Sequence, residues 1–140
     1  MPANKDVVTA IFAETAKGNG RTYIDAIDDD AAWIGRGHNS WSGVYRGKDA
    51  ILSDLLGPLS KLLDGRNTCI PTRIHADGDF VIVEAKGQNQ LKDGRRYDNE
   101  YCFVIKMRDG KMIEITEYLD TELVSDRLGS GREVRVLRGA

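Results

Sequence analysis

Apolar positions in the first half of the chain recur at helical spacing. Val7, Val8, Ile11, Phe12 and Ala16 share one face and predict a first helix. Asn4 is placed to cap it, Asp6 sits in its positive first turn, and Gly18 is a natural stop. Tyr23, Ile24 and Ile27 predict a short second helix, closed by Asp28, Asp29 and Asp30 as a solvated turn. A strand over Ala31–Gly35 follows, with Trp33 at its centre, then a Gly- and Ser-rich loop from Gly37 to Gly47 that carries His38, Trp41 and Tyr45. From Lys48 a third helix shows a broad stripe of Ile51, Leu52, Leu55, Leu56, Leu59, Leu62 and Leu63. Gly57-Pro58 lies inside that stripe. Proline lacks a backbone donor and clashes with the carbonyl four residues back, so a kink or break is expected there.

From Thr68 onward the period drops to two. Asp77-Gly78, Asp93-Gly94 and Asp109-Gly110 punctuate this half at a constant spacing of 16 residues, and Asp-Gly is a strong hairpin signal. The pattern predicts an antiparallel meander over about 69–76, 80–90, 96–107 and 111–120. A helical turn near Thr121–Leu128, capped by Asp120, ends the single domain, 1–128. The tail 129–140, with Arg132, Arg135 and Arg138, reads either as an edge strand or as mobile. Helices followed by a long curved meander make an α+β fold: a curved mixed or antiparallel sheet wrapped as a cone over three N-terminal helices. Such a cone encloses a hollow suited to a ligand.

Alternation assigns faces. Tyr97, Asn99, Tyr101, Phe103 and Ile105 form the inner set of the third meander strand; Ile113, Ile115, Glu117 and Leu119 form that of the fourth. Glu117 is thereby a carboxyl among apolar neighbours, where loss of water raises a carboxyl pKa. In the second meander strand Val81, Val83 and Ala85 oppose Ile82, Glu84, Lys86 and Gln88. Pattern alone favours Glu84 and Lys86 outward; turned inward they would join Glu117 in a catalytic cluster. Trp33, Asn99, Tyr101, Phe103, Ile115 and Leu119 are the candidate ligand-binding residues.

Composition narrows the classes. The 140 residues carry 20 basic and 22 acidic side chains, a net charge of −2, which speaks against a nucleic-acid binder. No apolar run reaches the ~18–20 residues of a membrane span, and the first residues lack the apolar core of a secretory leader, so a cytoplasmic protein is expected. Cys69 and Cys102 form no disulfide framework. His38 and His75 show no metal-ligand spacing, and no glycine-rich phosphate loop is present, so neither metal nor cofactor is expected.

The Trp33 strand, the loop Trp41-Ser42-Gly43-Val44-Tyr45-Arg46-Gly47, and Asp109-Gly110-Lys111 leading to Glu117-Tyr118-Leu119-Asp120-Thr121 resemble the SnoaL-like proteins. More closely they resemble the bacterial ketosteroid isomerase-related group of the nuclear transport factor 2-like superfamily, of cystatin-like fold. The resemblance spans about residues 5–128. It implies an apolar pocket for a small oxygenated molecule and a homodimer packed through the outer sheet face. It also implies either cofactor-independent isomerase, cyclase or hydrolase chemistry through Glu117, or ligand binding without catalysis. The base, tyrosine donor and protonated aspartate of true ketosteroid isomerases fall at Gly35, Ile11 and Phe103, so steroid isomerisation by that route is not expected. Limonene epoxide hydrolase-like members place an acid at Glu117 and their charged pair at Glu84 and Lys86 in swapped order. Their water-holding Tyr and Asn fall at Trp33 and Gly35. That comparison implies Glu84 and Lys86 inward.

Overall fold

The computed structural model describes residues 2–129; the tail expectation beyond Gly129, with Arg132, Arg135 and Arg138, lies outside the described residues. Two helices, α1 (Asn4–Thr15) and α2 (Arg21–Ala26), precede strand β1 (Ile27–Gly35) and the short β2 (Gly43–Arg46). A continuous helical stretch follows: α3 (Lys48–Ala50), a π-helical segment (Ile51–Leu56) and α4 (Gly57–Leu62). Then come β3 (Cys69–Asp77), β4 (Phe80–Gly87), β5 (Glu100–Arg108), β6 (Lys111–Leu119) and α5 (Thr121–Leu128). The strands form one six-stranded sheet in the order β2-β1-β6-β5-β4-β3. Among the described strands only the β1–β6 pairing is parallel, which makes the sheet mixed. Register shifts within the β3–β4, β5–β6 and β1–β6 pairs are bulges, which bend strands and curve a sheet.

The sheet closes over an apolar core. Val8, Ile11 and Phe12 from α1 pack with Val81, Val83 and Ala85 of β4, Phe103 and Ile105 of β5, and Ile115 of β6. A smaller cluster of Leu63, Leu91, Tyr97 and Val124 joins α5 to the excursion between β4 and β5. The outer two Asp-Gly pairs sit at tight hairpin turns. At the second of these, Asp109 and Gly110 both take positive φ, 52° and 76°, between the paired Arg108 and Lys111. The middle pair lies at the tip of the 88–99 excursion, whose sides meet at the isolated Gln90–Arg96 bridge and through single bonds such as Tyr97 N–H to the Asn89 carbonyl, with no continuous ladder. The expected strand ends at residues 90 and 96 are therefore cut back to 87 and 100.

Several local expectations change. Ala3 precedes α1 without a side-chain cap, so Asn4 is its first residue and not its cap. Asp28–Asp30 belong to β1: Ile27 pairs with Met112 and Ala32 already with Glu114, so the acidic residues bulge out of the ladder towards water. The Gly37–Gly47 loop contains β2, and Tyr45 is core, its hydroxyl donating to the Trp41 carbonyl at 2.7 Å. The helix neither breaks nor stops at Pro58. It widens by one residue per turn before it, and the Gly57 N–H reaches the Leu52 carbonyl five residues back. A Cβ at position 57 would stand 2.7 Å from that oxygen, so glycine is what permits the π turn. Asp120 does cap α5, accepting from the Leu123 N–H at 3.1 Å.

Candidate functional site

Alternation along β6 turns Glu117 to the concave side. Its ladder partners are Gly35 on β1 and Phe103 on β5. Having no side chain, Gly35 leaves the space beside the carboxyl open. Two residues earlier on β1, Trp33 faces the same way, paired with Ile115. Glu117, Trp33 and Phe103, with Phe12 of α1, Tyr23 of α2 and Tyr101 of β5, surround a cavity of about 230 Å³, closed on its helical side by Leu55, Leu56 and Leu59. Exposed Ser60 and Asn67 line it where it meets solvent.

Glu117 has protein on all sides except the cavity. Loss of water around its carboxyl raises the pKa from 4.5 to about 7, opposed in part by the nearby Trp33 indole N–H. The other groups of the cavity stay neutral. Burial, with the negative charge of Glu117 adding to it, holds the Tyr23 and Tyr101 hydroxyls well above 10 and pushes Tyr97 up to about 12. It also pushes the Cys69 thiol to about 12, so Cys69 is not poised as a nucleophile. Two buried donors are left over: among the described residues neither the Tyr23 hydroxyl nor the Trp33 indole nitrogen makes a hydrogen bond of good geometry. A buried polar group without a partner costs about 1–3 kcal/mol. Both residues line the hollow that holds the carboxyl.

Of the residues singled out from sequence, Glu117, Trp33, Tyr101, Phe103 and Leu119 come together around the cavity. Four do not. Glu84 lies on the outer face, bonded by Arg73 at 2.9 Å and His75 at 3.1 Å, which hold its carboxyl below the usual range. Lys86, also outward, lies 3.7 Å from Glu100. No Glu84–Lys86–Glu117 cluster exists, because Val81, Val83 and Ala85 take the inner face of β4. Ile115 packs in the core and does not line the cavity. Asn99 is fully buried, but its amide is spent. Its oxygen accepts from the Glu100 and Asp120 N–H groups, and its nitrogen donates to the Tyr97 hydroxyl and the Asp120 carbonyl. Two donors and two lone pairs are thereby used, and none remains for a ligand. Asn99 instead fixes Tyr97, whose hydroxyl accepts from its amide nitrogen at 3.1 Å. Sequence reasoning missed Tyr23 as a site residue; its signal was a hydroxyl-bearing aromatic on the apolar side of α2.

Fold and site together define a cone-shaped α+β protein with one ionisable carboxyl in an aromatic inner cavity. The family model of the SnoaL-like domain matches residues 8–115, and the chain belongs to that family. An NTF2-like protein from Burkholderia thailandensis is 21% identical, with 91% of this chain and 98% of that one covered at a TM-score of 0.77. An NTF2-like protein from Burkholderia xenovorans is 26% identical, with 89% and 94% covered at 0.66. TerC, co-crystallised with polyporic acid, is 20% identical, with 91% and 98% covered at 0.73. No curated protein matches. Among the described residues no helix is long and apolar enough to cross a membrane.

Proposed function

We propose that this protein binds a small, largely apolar molecule bearing a carbonyl or hydroxyl, and moves a proton on it with Glu117 as general acid and base. The observation that carries the reading is a carboxyl with a pKa near 7 beside two unpaired buried donors. At neutral pH such a carboxyl is present in both protonation states, so it can take a proton and give it back. The Tyr23 O–H and Trp33 N–H, on residues that line the cavity, would hold a ligand oxygen and stabilise it as negative charge develops. Proton abstraction beside a carbonyl followed by reprotonation or ring closure, that is isomerase or cyclase chemistry, fits this set. Hydrolysis fits it less well, because Trp33 and Gly35 supply no group that holds water as the epoxide hydrolase-like pattern would. The co-crystallisation of TerC with polyporic acid accords with a small organic ligand in this fold. The homodimer through the outer sheet face belongs to the same proposal.

A panel of apolar ketones, epoxides and lactones tests this, with NMR following both turnover and exchange of α-protons for deuterium. Glu117→Gln should lower the rate at least ~100-fold, the usual contribution of a positioned acid or base. Turnover untouched by that change would remove Glu117 from the chemistry. Thermal shifts with these compounds but no turnover would identify the site as a binding module without catalysis.

A further inference from the structure

Seven of the chain's ten aromatic residues line the one cavity that holds Glu117. Their rings run on from one another: Phe12 to Tyr23 at 5.7 Å, Tyr23 to Trp33 at 6.2 Å, Trp33 to Phe103 at 6.2 Å and Phe103 to Tyr101 at 5.2 Å between centroids. An apolar filling needs no such concentration of π faces, and it gains nothing from a carboxyl at their centre.

Among the described residues the carboxyl also has no counter-charge. No Lys or His is among the described residues that line the cavity, and the guanidinium of the lining Arg36 stands 5.9 Å from the ring of Tyr118, an exposed residue on the opposite sheet face. From the elements packed around Glu117, the groups that sense its charge are Tyr23 of α2, Cys69 of β3, Tyr101 of β5 and Tyr97 just before β5. Trp33 of β1 adds its N–H, and all five are neutral. A metal ion would find one carboxylate and no further ligands, since no group of three ligating side chains exists among the described residues. An alkylated ammonium ion is different. Its charge is spread over methyl or methylene groups, it is weakly hydrated, and aromatic faces within about 6 Å attract it.

We propose that this cavity is a binding site for small alkylated ammonium ions, with the cation seated between ionised Glu117 and the rings of Tyr23, Trp33, Tyr97 and Tyr101. This goes beyond the acid–base reading and does not depend on it: a cation needs only the ionised carboxylate, and no proton has to move. The pH dependence follows. With Glu117 titrating near 7, its ionised fraction rises about tenfold between pH 6 and pH 8. The apparent dissociation constant scales inversely with that competent fraction.

The test uses the full chain and tetramethylammonium chloride, with its uncharged relative 2,2-dimethylpropan-1-ol and equal concentrations of sodium chloride as controls. Binding is read by tryptophan fluorescence, since Trp33 and Trp41 both line the cavity, and by calorimetry. Expected are saturable binding of tetramethylammonium and a dissociation constant about tenfold lower at pH 8 than at pH 6. Glu117→Gln should weaken it at least tenfold and erase the pH dependence. No saturable binding at pH 8 would overturn the proposal. So would equal affinity for the alcohol, or affinity that is flat with pH in the wild type, a readout independent of whether the variant folds. Glu117-dependent α-proton exchange without ammonium binding would sink this inference and leave the acid–base reading standing; the reverse result would do the opposite.

Discussion

Burial of Glu117 has a thermodynamic consequence separate from any ligand. In the unfolded chain its carboxyl titrates near 4.5, and in the folded protein near 7. Between those values the folded state holds a proton that the unfolded state has released, so stability falls as pH rises across that window. Below pH 4.5 both states are protonated and the group contributes no penalty; above pH 7 the full penalty is present. A rise of this size corresponds to about 3 kcal/mol as an upper bound, and water entering the cavity lowers it. Glu117→Gln keeps the shape and removes the titration. The variant should therefore match the wild type near pH 4.5 to within about 1 kcal/mol and exceed it by about 2–3 kcal/mol at pH 8. Urea unfolding of both proteins from pH 4.5 to 9 measures the difference, in which every other titrating group cancels. A difference that stays flat across the range would show the carboxyl to be solvated when folded, and would end the argument for a desolvated acid in the cavity.

Three further perturbations bear on the scaffold and the cavity. Gly57→Ala, which in an ordinary helix stabilises, should here cost about 1–3 kcal/mol in urea melts, because the new methyl meets the Leu52 carbonyl at 2.7 Å; a gain in stability would refute the close approach. Asn99→Ala should cost at least about 2–3 kcal/mol by the same assay, since it strands the Glu100 and Asp120 N–H groups, and a neutral result would mean water replaces the clamp. Tyr23→Phe should raise the thermal midpoint by removing an unpaired buried hydroxyl, by about 1 kcal/mol at the midpoint, while weakening any oxygen-bearing ligand; a lowered midpoint would mean the hydroxyl has a partner.

Much of this molecule is written locally. The period-two pattern and two of the three Asp-Gly pairs mark the strands and turns of the meander, because a pleated strand with one buried face must alternate and a two-residue turn must tolerate positive φ. The same alternation turned Glu117 inward, and in β4 it also pointed Glu84 and Lys86 outward. The family comparison reversed that orientation, because a one-residue offset in aligning a strand exchanges its two faces. Asn99 sat on the correct face but in the wrong role: alternation says which way an amide points, and only its four partners, 1 to 21 residues away, show that its bonding capacity is used up.

What the chain could not announce is convergence. The parallel pairing of β1 with β6 brings Gly35 beside Glu117 across 82 positions of sequence, and no local propensity encodes such a contact. The unpaired donors of Tyr23 and Trp33 are likewise invisible until helix and sheet pack, since a hydrogen bond that is not made leaves no mark on sequence. Periodicity settled which residues are buried; the curvature of the sheet and the packing of α1 and α2 against it decided which buried residues face a hollow and which face one another, because that depends on distances between segments that never meet along the chain.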